Sequence, residues 1–234
     1  MRIPILTETE NWVVVAKPPK LLTHGHPRFP GAPTLIGSVE EQEGWPVWIV
    51  HRLDRSASGC LILAKKKEWV PALKDALHNA EKSYLAIVRG YFDYEGEVEI
   101  NKAMKVNGKE KEALSFVRCL GRCHEPRSSL LLVRPQTGRY HQVRRHVRDL
   151  HHPVLGDSEH GDSHVNRWWR EQMGLKRLGL HAWSLRLALE SGESIVAQCP
   201  LFSDQYDLFQ KMPWWSMVLE QHPRLGLSSI EWPL

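Results

Sequence analysis

Unbroken apolar runs mark the first strands of this chain. Trp12 to Ala16 (WVVVA) is closed by Lys17, Pro18 and Pro19, the pattern of a short buried strand ending in a constrained turn. Val47 to Val50 runs straight into the charged string HRLDR at 51–55, and Gly59 to Ala64 is apolar again. Pro27, Pro30, Pro33 and Pro46 predict loop rather than long elements over 20–46. Val70, Leu73, Leu77 and Ala80 recur at helical spacing and predict an amphipathic helix over 69–81, followed by a strand from Tyr84 to Val88. Residues 101–112 carry four lysines around Asn107-Gly108, an exposed hairpin or loop. Ala113 to Leu120 and Leu130 to Arg134 read as paired strands. Val143, Val147 and Leu150, at i, i+4 and i+7, then predict a helix over roughly 140–150, ended by Pro153. Leu178 to Leu189 and Ser194 to Gln198 flank Ser191-Gly192 as a last hairpin, and Asp204 to Met212 reads as a short helix. From Pro213 the Trp- and Pro-rich tail has no usable period.

Strands outnumber helices without a βαβ rhythm, so the predicted class is α+β, a mixed and mostly antiparallel sheet flanked by helices. The chain has 234 residues and shows no repeat, and nothing between 47 and 200 reads as a linker. One catalytic domain over 1–212 with a tail over 213–234 is the expected organisation. With 42% hydrophobic and 25% charged residues, disordered and coiled-coil classes are excluded. No apolar run approaches the ~20 residues of a membrane span, and MRIPILTETE lacks the pattern of a signal peptide. A cytoplasmic protein without membrane association is expected. The four cysteines fit a reducing compartment better than a disulfide framework, and Cys119, Cys123 and His124 lack a fourth ligand at finger-like spacing. Motifs for nucleotide, zinc-protease, serine-hydrolase and dinucleotide chemistry are absent.

Two stretches carry candidate chemistry. In HRLDR, Asp54 stands between Arg52 and Arg55 on a loop leaving a buried strand, where a scaffold displays functional groups. Flanking guanidinium charge favours the ionised carboxylate, suiting a nucleophile or base; an ion pair pinning the turn is the plain alternative. From Arg134 to His152 the net charge of +4 is concentrated: five arginines and four histidines face one acid, Asp149. The apolar stripe of this helix turns His141, Arg145 and Arg148 along one side toward a phosphate backbone, or simply toward water. His160 and His164 would offer metal ligands only if their glycine-containing segment were helical, so a shaped loop beside the site is preferred. Tyr84 could stack on an unstacked base, and Trp168-Trp169 and Trp214-Trp215 are either stacking platforms for RNA or covering residues.

Taken in order, VVAKPPKLL (14–22), HRLDRSASGCLILAK (51–65), KSYLAIVRG (82–90), PQTGRYHQVRRH (135–146), HPVLGD (152–157) and RLGLHA (177–182) resemble the motifs of the RluA family of pseudouridine synthases. GDSEHGD, Asn166-Arg167 and LKRLGLHA bring the chain closest to the tRNA pseudouridine synthase C branch. The resemblance implies the pseudouridine synthase fold without a preceding S4-type domain, and isomerisation of a uridine in RNA, most simply uridine 65 of tRNA. It implies catalytic roles for Asp54, Tyr84 and Arg144, with Arg144 pairing with Asp54. Leu180 would wall the pocket and Arg52 would fill the space of a flipped nucleotide. Lys17, Arg139, His141, Gln142 and Arg145 would make phosphate or loop contacts. No metal or other cofactor and a monomeric enzyme are implied. Ribosomal RNA as substrate, a binding module without catalysis, and a metal-dependent hydrolase using His160 and His164 are the rival readings.

Overall fold

The computed structural model describes residues 2–231, which form two compact units. The first unit opens with β1 (Ile5–Glu8), β2 (Trp12–Lys17), α1 (Leu35–Glu43), β3 (Trp48–Ile49), β4 (Ser58–Ala64) and α2 (Trp69–His78). The second begins with β5 (Glu81–Arg89), β6 (Glu97–Asn101), β7 (Met104–Val106), β8 (Lys109–Lys111), β9 (Leu114–Cys123) and β10 (Ser128–Pro135), then α3 (Gln142–Asp149) and α4 (Ser163–Met173). The chain returns to the first unit through β11 (Leu180–Ala188) and β12 (Ser194–Gln198). It ends in the second with β13 (Leu201–Phe202), α5 (Ser203–Gln210), α6 (Trp215–Gln221) and β14 (Ser229–Ile230).

In the first unit the strand order is β1-β2-β4-β11, with β3 on β4 and β12 on β11. The apolar runs of β2 and β4 are buried at every position and pair antiparallel, Trp12 opposite Ala64 through to Lys17 opposite Gly59. Burial on both faces explains why these strands read as continuous rather than alternating. Leu73 and Leu77 turn α2 inward at the predicted spacing. Against expectation, residues 35–43 are helical. Thr34 accepts from the Gly37 N–H at 3.1 Å, Gly44 closes the last turn, and Pro33 and Pro46 stand outside these caps rather than within the helix.

The second unit is built on the antiparallel order β5-β10-β9-β6. The predicted hairpin is β7–β8, whose turn residues Asn107 and Gly108 both take positive φ (50° and 78°), as its two-residue turn requires. α3 lies within the predicted 140–150 span. The tail that offered no period packs by shape: Trp214 and Val218 close on Gly121 of β9, where a Cβ would lie 2.8 Å from Trp214, and Phe209 stacks edgewise on Trp214 at 5.5 Å. The last three residues of the tail lie outside the described residues. The antiparallel sheets and flanking helices agree with the α+β expectation. Among the described residues no helix is long and apolar enough to cross a membrane.

Candidate active site

In the first unit, HRLDR leaves β3 and turns into β4. The Ala57 N–H closes the turn on the Asp54 carbonyl at 3.1 Å, and Thr23 Oγ1 donates to the Leu53 carbonyl at 3.3 Å. Lys17, at the end of β2, is fully buried. Its Nζ donates to the carbonyls of Ala57 (2.8 Å), Pro18 (2.8 Å) and Arg55 (3.2 Å). A buried ammonium is costly unless its donors are used, and using them on this turn fixes the backbone that carries Asp54. Lys17 is therefore a loop clamp: with no exposed surface it does not meet a phosphate. Asp54 itself is half-buried and Arg52 is exposed. Arg55 is turned to the Lys20 carbonyl at 3.2 Å and lies 4.6 Å from the Phe29 ring centroid.

In the second unit, Tyr84 stands on β5 opposite Val133 of β10 and is half-buried. Lys82, two residues earlier, shares its face of the strand, and burial pushes this ammonium below its ordinary pKa. The expected phenol thus has a neighbouring amine, a residue that only the period of two of a strand signals in the sequence. Leu180 is buried at the start of β11.

The Thr137–Arg145 stretch is organised by Gln142. Its Oε1 accepts from Thr137 Oγ1 (2.7 Å) and the Arg139 N–H (3.0 Å), and its Nε2 donates to the Leu114 carbonyl (2.9 Å) and Ser115 Oγ (3.0 Å). All four hydrogen-bonding positions of the amide are used, so Gln142 holds the loop. Arg139 Nε donates to the Glu112 carbonyl at 2.8 Å. His141 takes a left-handed backbone (φ 52°) ahead of α3, and its ring stacks on the exposed Tyr140 at 3.7 Å. The single phosphate-facing side predicted for His141, Arg145 and Arg148 does not form as such. His141 is buried, Arg148 donates to Asp149 at 2.8 Å, and Asp149 is also held by Lys102 at 2.8 Å. Arg145 is half-buried and reaches the Lys105 carbonyl of the β7–β8 hairpin at 3.4 Å.

Arg144 is buried and forms a two-point pair with Asp157: Nε to Oδ2 at 2.7 Å and Nη2 to Oδ1 at 2.6 Å. Oδ1 also accepts from the amides of Glu159 (2.9 Å) and His160 (3.0 Å). Burial opposes ionisation of Asp157, but the Arg144 hydrogen bonds and charge, with these two amides, outweigh it and hold the carboxyl below its ordinary pKa. Two features shape this loop. Gly156 takes φ +78° where a Cβ would meet the Arg177 carbonyl oxygen at 2.1 Å. Asn166 of α4 accepts from the Gly156 N–H and donates to the Asp157 carbonyl, both at 2.8 Å. The sequence shows Asp157 and Asn166 only as parts of family motifs and gives them no site role; the available signal is the Gly-Asp step after Pro153.

The segment 156–164 is a loop capped into α4 by Asp162, which accepts from the N–H groups of His164 and Val165. The histidine that approaches His160 is His141, whose Nδ1 lies 3.1 Å from His160 Nε2, and not His164. Glu159 completes a group whose ligand atoms lie within 4.8 Å of one another.

His146, fully buried with Nδ1 2.9 Å from Ser115 Oγ, has its pKa lowered chiefly by burial. Burial likewise leads the lowering of His152, His160 and His222. A histidine lowered in the folded state binds fewer protons than in the unfolded chain below the ordinary value, about 6.5, so stability falls as pH drops through that value. Urea midpoints are expected to be lower at pH 5.5 than at 7.5, with a smaller difference in His146→Asn. A pH-independent midpoint over this range would contradict the assignment.

Residues 11–149, more than half the chain, match the family model described as RNA pseudouridylate synthase. The tRNA pseudouridine synthase C of Haemophilus ducreyi is 32% identical, covering 92% of this chain and 97% of its own. That of Vibrio parahaemolyticus is 32% identical over 92% and 96%. The solved structure of Human RNA Pseudouridylate Synthase Domain Containing 1 superposes with a TM-score of 0.72 over 98% of this chain and 96% of its own, at 24% identity. That likeness shows a shared fold.

Proposed function

The chain belongs to the RNA pseudouridylate synthase family, a family of isomerases, and from that premise we propose that it converts one uridine of tRNA, uridine 65, to pseudouridine with Asp54 as the catalytic carboxylate. The observation that carries this reading is the half-buried Asp54 on a turn clamped by the buried Lys17 ammonium, inside the matched residues. Fixing a backbone with a buried charge is the kind of support that a reacting group needs.

The reaction breaks the N1–C1′ bond of the nucleoside and forms a C5–C1′ bond, while a proton leaves C5 and N1 gains one. It is an isomerisation that needs no external oxidant or energy source, and the proposal includes no cofactor. Asp54 acts at the ribose, as nucleophile at C1′ or as base toward the C2′ proton. Arg144 is the cation assigned to orient it. Tyr84 stacks on the displaced uracil and Leu180 walls it. The uridine must leave its stack, at a cost of a few kcal/mol, and the exposed Arg52 is suited to fill the vacated space. A monomer acting in the cytoplasm completes the reading.

The direct test is to map pseudouridine in total RNA from cells with and without the gene; loss of the mark at uridine 65 of tRNA is expected, and an unchanged tRNA map overturns the substrate assignment. Phosphate contacts divide in a testable way. Arg148 is neutralised locally by Asp149, whereas Arg145 has no acidic partner among the described residues. Arg145→Ala is expected to reduce the slope of log K against log salt for RNA binding by about 0.7–0.9. Arg148→Ala should reduce it less; equal reductions would remove the distinction.

A further inference from the structure

A cavity of about 1020 Å³ lies within the second unit, walled by the residues after β5, the β9–β10 turn, the residues after α3, and one face of α4. None of its lining residues belongs to the proposed catalytic set. Arg89 and Tyr84 are five residues apart on β5, about 17 Å at the ordinary rise of a strand. The cavity also adjoins the C-terminal end of α3, while Arg144 lies in the first turn of that helix.

The chemistry of the wall is specific. Two arginines and three histidines line it against one carboxylate, Glu125. Arg127 is exposed and has no ion-pair partner among the described residues. Arg89 meets Asp162 only at 3.4 Å, with both side chains about half exposed, a pair weak enough to be exchanged for a phosphate. Flat surfaces stand beside these cations. Trp168 presents 46% of its surface, although Trp169 next to it is buried. The Tyr91 and His124 rings stack at 4.1 Å and 6°, and His124 is exposed. An exposed indole beside unpaired positive charge offers what a nucleotide brings: a π face for the base and cations for the phosphate. A base within a duplex already has both faces covered, so the occupant is unpaired.

We propose that this cavity is a second RNA-binding site, which takes an unpaired nucleotide of the same RNA away from the reacting uridine, with its base on Trp168 and its phosphate between Arg89 and Arg127. The proposal rests on the reading of the chain as an enzyme acting on RNA. It gives Trp168 the stacking role that the sequence left open, and it supplies affinity and substrate choice without touching the chemistry.

The test uses the full chain, the variants Trp168→Ala and Arg127→Ala, and two probes: an unmodified tRNA transcript for turnover and a labelled hexauridylate for binding by fluorescence anisotropy. Each variant is expected to weaken hexamer binding about tenfold and to raise KM for tRNA by a similar factor, with kcat unchanged. Both side chains are exposed, so circular dichroism and the thermal midpoint should match the parent. Hexamer affinity unchanged in both variants overturns the proposal, as does uridine monophosphate displacing the hexamer at equal affinity, which would mark a site for free nucleotides. If the parent isomerises no tRNA while both variants still lose the hexamer, the tRNA assignment fails and the cavity's role stands.

Discussion

Asp54→Asn is expected to abolish pseudouridine formation while leaving RNA affinity within about tenfold, or roughly 1.4 kcal/mol. The side chain is half-buried and its backbone is held independently of its charge. The Ala57 N–H bonds the Asp54 carbonyl, and Lys17 clamps the carbonyls of Arg55 and Ala57. An isosteric amide should therefore keep the turn and remove only the negative charge that attacks the ribose or takes its proton. Neither role is open to a neutral amide, so the loss should appear in kcat, with little change in KM. Single-turnover assays with saturating RNA, together with binding measured on the same preparation, separate the two quantities. Full activity in the variant would remove Asp54 from the mechanism. A loss confined to affinity would make it a binding residue.

Local pattern carried most of the fold. WVVVA, GCLILA and the Asn107-Gly108 turn were legible because each is decided within a few residues by burial on both faces or by backbone conformation. Two of the three helices not predicted show the limit of that reading. Over 35–43 the flanking prolines predict a break, yet the helix is decided by Thr34 and Gly44 at its ends, inside those prolines. Over 163–173 the preceding glycines and small polar residues concealed the Asp162 cap. Site residues divide in the same way. Residue types and their setting bring forward Asp54 and Tyr84, and the resemblance to the RluA family adds Arg144. Position in the chain cannot tell whether a cation is exposed or spent, so Lys17 emerged as a clamp and Arg148 as a partner of Asp149. Asp157 has no site signal in the sequence beyond the Gly-Asp step, because its meaning lies in a pairing across a loop of no periodicity, and only the folded backbone brings its Oδ atoms onto the Arg144 fork.

That pairing makes Asp157→Asn the largest expected loss of stability, about 3–5 kcal/mol by urea denaturation, because it takes the two-point carboxylate from a guanidinium that is only 5% exposed. The amide keeps an oxygen for the Glu159 and His160 N–H groups, so the loss reports the broken ion pair rather than the loop's other bonds. Arg144→Met added to Asp157→Asn removes the buried cation as well and should recover more than half of that loss, since a buried pair replaced as a unit costs far less than one broken on one side. Acid separates the same contributions. The Asp157 carboxyl is held below its ordinary value, about 3.9, in the folded state, so the pair's contribution is complete above that value and disappears as pH falls through the folded one. This lowest limb should shrink in the double variant to the share left by Asp149 and Asp162, whose carboxyls are also held low, while the histidine-dependent limb below about pH 6.5 should persist. Turnover decides what Arg144 does besides holding the loop. If it also serves Asp54, the double variant regains stability but not isomerisation; if activity returns with stability, the role of Arg144 is purely structural.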